Sequence, residues 1–266
     1  MQRCIATISI SGTLEQKLEE IAAAGFDSIE LFEPDLTGFP GAARQLRQRV
    51  DASGLKIALL QPFRNYEGES SDQLIRARQQ FELMQELNCK KLLLCSNVSE
   101  SCSSDSQHQI DDLHALAELA ASFQVEIGYE ALAWGRHINR WQQAWQRVKH
   151  VNHPNLGIVL DSFHILSRGD SLDELHQVPA EKITFVQFAD APQLNLDVLT
   201  WSRHYRCFPG QGDFDLQHFA RQLHHHGYQG PWSLEIFNEQ MVTSPLHASA
   251  ADGYCSLRWL EQGLTQ

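Results

Sequence analysis

The chain has 266 residues, 42% of them hydrophobic, enough for one large core and a better match to one domain than to two. Its formal charge of −12 repels phosphate backbones and offers no basic face for counterion release, which argues against nucleic acid as a partner. No apolar window reaches the length of a signal peptide or a membrane span, and the six cysteines lack CxxC or zinc-type spacing, so a soluble cytoplasmic protein with reduced thiols and no membrane partner is expected.

Short β-rich apolar runs alternate with longer segments of helical period, the pattern of repeated βα units around a parallel sheet. Residues 5–10 read as strand one, after which Leu14, Leu18, Ile21 and Ala22 share one helical face that stops at Gly25. Strand two is 28–31 and strand three 57–60. Leu74, Ala77, Phe81 and Met84 mark the buried face of the next helix, ended by Asn88, and 91–95 is strand four. A serine-rich stretch, 99–107, leads into a helix carrying Ile110, Leu113, Leu116, Ala117 and Ala120, and 125–130 is strand five.

Strand six ends at Asp161 and strand seven at Gln187. The connection over 188–213 is the longest, and a loop of that length in a compact domain is usually functional, so it is expected to lie over the site. Within it, Gly210-Gln211-Gly212-Asp213 lacks the third glycine of a dinucleotide fingerprint and reads as a tight turn before an Asp-capped helix. That helix carries Leu216, Phe219 and Leu223 and stops at Gly227; strand eight is 233–235, and a closing helix runs from Ala248. Eight strands, with no repeat or linker to divide them, predict one α/β domain over residues 1–266: a (β/α)8 TIM barrel.

Four of these runs end on oxygen-bearing side chains: Glu130, Asp161, Gln187 and Glu235. In a parallel barrel the C-terminal strand ends meet at one mouth, where such enzymes carry their chemistry, so the four are candidate metal ligands. An all-oxygen set disfavours zinc and copper and favours Mg²⁺ or Mn²⁺, with Co²⁺ as a substitute. The competing reading is that they are surface acids or salt-bridge partners, and Glu30 and Glu33, standing alone near strand two, are read as structural. His164, three residues past Asp161, is the candidate base, because imidazole moves protons near neutral pH. The run His224, His225 and His226 ends a helix, where positive charge complements the dipole, and is not read as a metal site.

Arg64, Arg136, Arg203 and Arg206 gather in loops after strands three, five and seven. Guanidinium grips carboxylate in a bidentate fork, so a small anionic substrate is expected, with Arg64 and Arg206 as its ligands and Ser202 as a polar neighbour. GxSxG, P-loop and HExxH motifs are absent, which removes support for serine hydrolase, nucleotide hydrolase and zincin readings.

The segments Ala6-Thr7-Ile8-Ser9-Ile10-Ser11-Gly12-Thr13-Leu14, Gln61-Pro62-Phe63-Arg64, Cys95-Ser96-Asn97-Val98-Ser99, Gly128-Tyr129-Glu130-Ala131-Leu132-Ala133-Trp134-Gly135, Asp161-Ser162-Phe163-His164 and Trp201-Ser202-Arg203-His204-Tyr205-Arg206 closely resemble bacterial 3-dehydroshikimate dehydratases of quinate and shikimate breakdown. The resemblance runs from Gln2 to about Glu239 and implies a divalent metal at Glu130, Asp161, Gln187 and Glu235, with proton transfer at His164. Two positions depart from relatives: histidine often stands where this chain has Gln187, and sometimes where it has Leu132. Bacterial members often continue into a dioxygenase-like second domain, so a chain of this length is expected to be a short member or an isolated domain.

The reaction implied is dehydration of 3-dehydroshikimate to protocatechuate by metal-assisted enolisation and loss of water. A ketose or hydroxy-acid isomerase or epimerase on the same barrel, and a non-catalytic metal-binding barrel, are the rivals. An abasic-site endonuclease would want a histidine-rich zinc cluster and basic grooves. The sequence leaves a homo-oligomer open.

Overall fold

Eight parallel strands close into a barrel in sequence order, each paired with its chain neighbours and β1 with β8. The computed structural model describes residues 1–69, 72–238 and 245–265. Glu239, where the family resemblance ends, lies outside them. The order is β1 (Arg3–Ala6), α1 (Leu14–Ala24), β2 (Ser28–Phe32), α2 (Glu33–Thr37), α3 (Ala43–Ala52), β3 (Lys56–Phe63), α4 (Gln73–Leu87), β4 (Lys91–Cys95) and α5 (Ser106–Ser122). It continues with β5 (Glu126–Glu130), α6 (Trp141–Val151), β6 (Leu156–Asp161), α7 (Ser162–Leu166), β7 (Ile183–Phe188), α8 (Val198–His204), α9 (Leu216–His226), β8 (Trp232–Leu234) and α10 (Leu246–Gln262).

Parallel strands buried on both faces need apolar residues on both, and two cores result. The larger lies between strands and helices; the smaller, with Cys4, Leu59, Leu93, Val159 and Phe185, is a separate buried group of strand residues. Gly128 serves close packing within the sheet: a Cβ there would come within 2.5 Å of Val159 Cγ2. Helix ends follow the sequence signals, with Thr13 and Gln16 forming a capping box on α1 and Gly25 and Gly227 left-handed at the ends of α1 and α9. Asp215 caps α9.

Several expectations need correction. Strand one is not 5–10: the ladder stops at Ala6 and Thr7–Ser9 is a 3-10 turn. Hydroxyls account for the departure, since Thr7 Oγ1 accepts from Phe32 N–H and Ser9 Oγ bridges Leu234 O and Ile236 N. Strand three extends to Phe63, strand seven to Phe188, and strand eight ends at Leu234, leaving Glu235 one residue past it. Leu74 is 44% exposed; Gln73, Ala77, Phe81, Met84 and Leu87 form the inner face of α4 instead. The closing helix begins at Leu246. Helices α2, α3, α6 and α7 have no counterpart in the sequence reading, which leaves His164 in a loop, and the 188–213 connection contains α8 rather than loop alone.

Candidate active site

The strand register carries the site. Asp161 pairs with Gln187 across β6 and β7, Cys95 with Glu130 across β4 and β5, and Ala6 with Glu30 across β1 and β2, so the two residues of each pair stand side by side near the strand ends. Asp161 doubles as the N-cap of α7: Oδ1 accepts from Phe163 N at 2.6 Å and His164 N at 3.3 Å. This cap turns the chain at the end of β6 and fixes His164 within one helical turn of the strand end. Its other oxygen, Oδ2, accepts from Arg206 Nη1 at 2.7 Å.

A continuous hydrogen-bonded chain ties the expected ligands together. Gln187 Nε2 donates to Glu30 Oε2 (2.7 Å), Gln61 Nε2 to Glu235 Oε1 (2.7 Å) and more weakly to Glu30 Oε2 (3.5 Å), and Arg206 Nη1 to Glu235 Oε2 (3.0 Å) and Asp161. Glu130 joins from β5, with Cys95 Sγ donating to its Oε2 at 3.7 Å and His164 Nε2 lying 3.9 Å from its Oε1. Glu30 is therefore not a lone structural acid: it is fully buried and hydrogen-bonded to an expected ligand. Glu33 lies on α2, only partly buried.

So many buried carboxylates disturb one another. Burial, and then the charge of Asp161, push the Glu130 carboxyl well above the ordinary range; burial and the charge of Glu235 do the same to Glu30. Burial also raises Glu235, against the pull of Arg206. Burial works upward on Asp161 too, but Arg206, by charge and hydrogen bond, and His164 hold it below the usual value.

Three oxygens in this cluster, Glu30 Oε1, Glu130 Oε1 and Gln187 Oε1, are buried without a hydrogen-bond partner. Buried acceptors normally find a donor or a cation, so the set fits a positive ion. Glu130, Asp161 and His164 each present one ligand atom, all within 4.8 Å of one another. Elsewhere, the triple histidine sits on the last turn of α9, where His226 Nε2 contacts Val178 O at 2.7 Å.

His164 is 4% exposed, with Trp134 edge-on at 5.0 Å. Burial drives its pKa down to about 3, so the ring is neutral near pH 7. Ala133 N–H donates to Nδ1 at 3.2 Å, and Arg206 Nη2 approaches Nε2 at 3.2 Å. A neutral imidazole has one ring lone pair for these two donors, so one contact always lacks its acceptor. Nε2 also stands 3.7 Å from Asp161 Oδ2.

A small cavity of about 20 Å³ opens here, lined by Arg64, Glu130, Trp134, His164, Ser202, Arg203, Arg206, Glu235 and Phe237 among others. Ser202 and Arg206, from α8 and the residues after it, reach the cluster, as expected of the long connection. Ser202 Oγ accepts from Arg206 Nε (3.2 Å) and Nη2 (2.9 Å). Arg64 lines the cavity; Arg136 is exposed and does not. Beside the cavity, Glu67 locks the loop that carries Arg64, accepting from Asn97 N at 2.6 Å and Tyr129 OH at 2.8 Å. The sequence gives no role to Glu67, Gln61 or Phe237, and Glu30 reads there as structural. The signal for Glu30 and Gln61 was their place in strands, where a buried polar side chain needs a partner.

A closed parallel barrel with clustered acids at its mouth is a common enzyme scaffold, and residues 18–262 match the model of the xylose isomerase-like TIM barrel family. The chain belongs to that family. It is 51% identical to proteins named 3-dehydroshikimate dehydratase from Pseudomonas putida and from Pseudomonas aeruginosa, over 98% of this chain and 42% of each relative. A solved structure titled xylose isomerase-like TIM barrel/4-hydroxyphenylpyruvate dioxygenase fusion protein superposes with a TM-score of 0.97 at 51% identity, covering 99% of this chain and 43% of that one. The chain thus spans less than half the length of these relatives. No helix among the described residues is long and apolar enough to cross a membrane.

Proposed function

We propose that these residues form the catalytic barrel of a divalent-metal-dependent 3-dehydroshikimate dehydratase, a hydro-lyase giving protocatechuate and water in a cytoplasmic route of quinate and shikimate breakdown. The observation that carries it is the set of unpartnered, buried oxygens beside a buried imidazole. Identity of 51% to proteins bearing that name supports the choice of substrate.

Glu130, Asp161, Gln187 and Glu235 would hold the ion, the absence of a thiolate or imidazole from that set favouring Mg²⁺ or Mn²⁺, with Co²⁺ able to substitute. When bound, it supplies Lewis-acid polarisation of the substrate ketone, which acidifies the neighbouring carbon. His164, neutral and unable to leave its place on α7, takes the proton from the carbon between the ketone and the carbon bearing the leaving hydroxyl. Asp161 Oδ2 and Glu130 Oε1, 3.7 and 3.9 Å from Nε2, face the positive charge the ring then acquires. The hydroxyl departs as water, and enolisation of the remaining ring ketone completes the aromatic product. Arg206 fixes Asp161 and Glu235 in place, and Trp134 shields one side of the imidazole. Incubating the protein with 3-dehydroshikimate and following the near-ultraviolet absorbance of an aromatic product tests the reading; a flat trace with metal supplied rejects it.

A further inference from the structure

The dehydratase reading requires a counter-charge for the substrate's ring carboxylate, and the arginines around the cavity are not equivalent. Arg206 is 1% exposed, and its N–H groups are largely taken up: Nε and Nη2 donate to Ser202, Nη1 donates to Asp161 and Glu235, and Nη2 also lies 3.2 Å from His164 Nε2. It is the internal counter-ion of two acids. Taking a substrate carboxylate would mean giving up those bonds.

Arg203 is the opposite case. It lies one turn earlier on α8, half-buried, and makes no hydrogen bond or ion pair among the described residues. Its guanidinium is held instead by aromatic faces, 5.0 Å from the Phe237 ring centroid and 5.8 Å from that of Trp134. Phe237 also carries Arg206, at 5.4 Å. Aromatic faces grip a guanidinium through its plane and leave its N–H edge open for a planar anion. Arg64, across the same cavity, likewise has no side-chain hydrogen bond among the described residues, and its charge acts on Arg203 with the same sign. Two guanidinium groups that line one cavity, neither with a hydrogen-bonded counter-ion among the described residues, offer a site for a planar anion.

We propose that Arg203, with Arg64 opposite, is the carboxylate-binding residue, and that Arg206 holds the acids instead of the substrate. The inference rests on the dehydratase reading for the identity of the substrate, but not for the chemistry of the anion. Its test is a cycle between ligand and residue: calorimetric affinities of protocatechuate and of catechol, which lacks the carboxylate, for the metal-loaded wild type, Arg203→Gln and Arg203→Lys, each checked for fold by circular dichroism. Wild type should prefer protocatechuate by about tenfold or more, as expected for a charge-assisted pair. Arg203→Gln should erase that preference while leaving catechol affinity unchanged, and Arg203→Lys should restore only part of it, because ammonium cannot form the fork. A preference that survives in Arg203→Gln, or is absent from wild type, overturns the assignment. Should wild type bind with this preference yet not turn over 3-dehydroshikimate, the dehydratase reading fails alone and the anion site stands.

Discussion

Gln187 Nε2 donates to Glu30 Oε2 at 2.7 Å, joining β7 to β2 between residues 157 positions apart. This bond turns the amide nitrogen toward Glu30 and leaves the amide oxygen unpartnered. Glu30 in this way sets the orientation of an expected metal ligand. Glu30→Ala should weaken Mn²⁺ binding by about 10- to 100-fold, as is usual when a ligand's own partner is lost. In the metal-free protein Glu30→Gln should gain in melting temperature over the wild type as pH rises above the ordinary carboxylate range, since burial and the charge of Glu235 make the ionised form of Glu30 costly. Isothermal titration and calorimetry read both effects, and unchanged Mn²⁺ affinity in Glu30→Ala would dissolve the link.

Arg206 gives the converse prediction. Asp161 and Glu235 rely on its guanidinium at 2.7 and 3.0 Å, all three being buried. Arg206→Met should cost the metal-free protein about 3–5 kcal/mol, the usual penalty for breaking a buried pair. Added Mg²⁺ or Mn²⁺ should recover much of this by binding the folded state. Denaturant melts with and without the ion decide it: a loss that the ion does not repair would mean the arginine acts through packing.

His164 offers a ligand atom as well as a base, and the two roles separate by measurement. His164→Ala should lower kcat by about 10²- to 10⁴-fold, the usual contribution of a positioned base. Metal content of the purified variant should stay at the wild-type level. Loss of metal alongside activity would move His164 into the ligand set.

Glu67 governs a pH effect on stability. Burial pushes its pKa up to about 7 from 4.5, against the hydrogen bonds from Asn97 and Tyr129. Between those values the unfolded chain has released a proton that the folded protein retains, so folding stability falls as pH rises from 4.5 to 7 and levels off above. Glu67→Gln should remove at most about 3 kcal/mol of that decline. Urea melts of both proteins at pH 5 and 8 give the comparison, and equal slopes for the two would contradict it.

The barrel was legible because parallel strands announce themselves as short apolar runs, and the site because Glu130 and Asp161 end such runs while Gln187 and Glu235 lie within a residue of their ends. Helix α3 escaped notice because only Leu46 and Val50 break its polar character, and α6 because its inner face is built from Trp141, Trp145, Val148 and Val151, residues that equally suit strands. Glu30 reads as structural in the sequence for a different reason. Its partners, Gln61 and Gln187, are distant in sequence, and no local pattern reports a bond formed only when the barrel closes. The arginines show the same limit: Arg203 and Arg206 are three residues apart and both lie over aromatic rings, yet only Arg206 is hydrogen-bonded to acids among the described residues, a difference set by the phase of α8 and the turn after it.

The account stands most directly on metal-dependent turnover of 3-dehydroshikimate. Protein stripped with chelator, dialysed and assayed before and after graded return of Mn²⁺ should pass from no detectable protocatechuate to full activity at about one ion per chain. Turnover by the stripped protein at the full rate, or none after the ion is restored and shown to be bound, would contradict it.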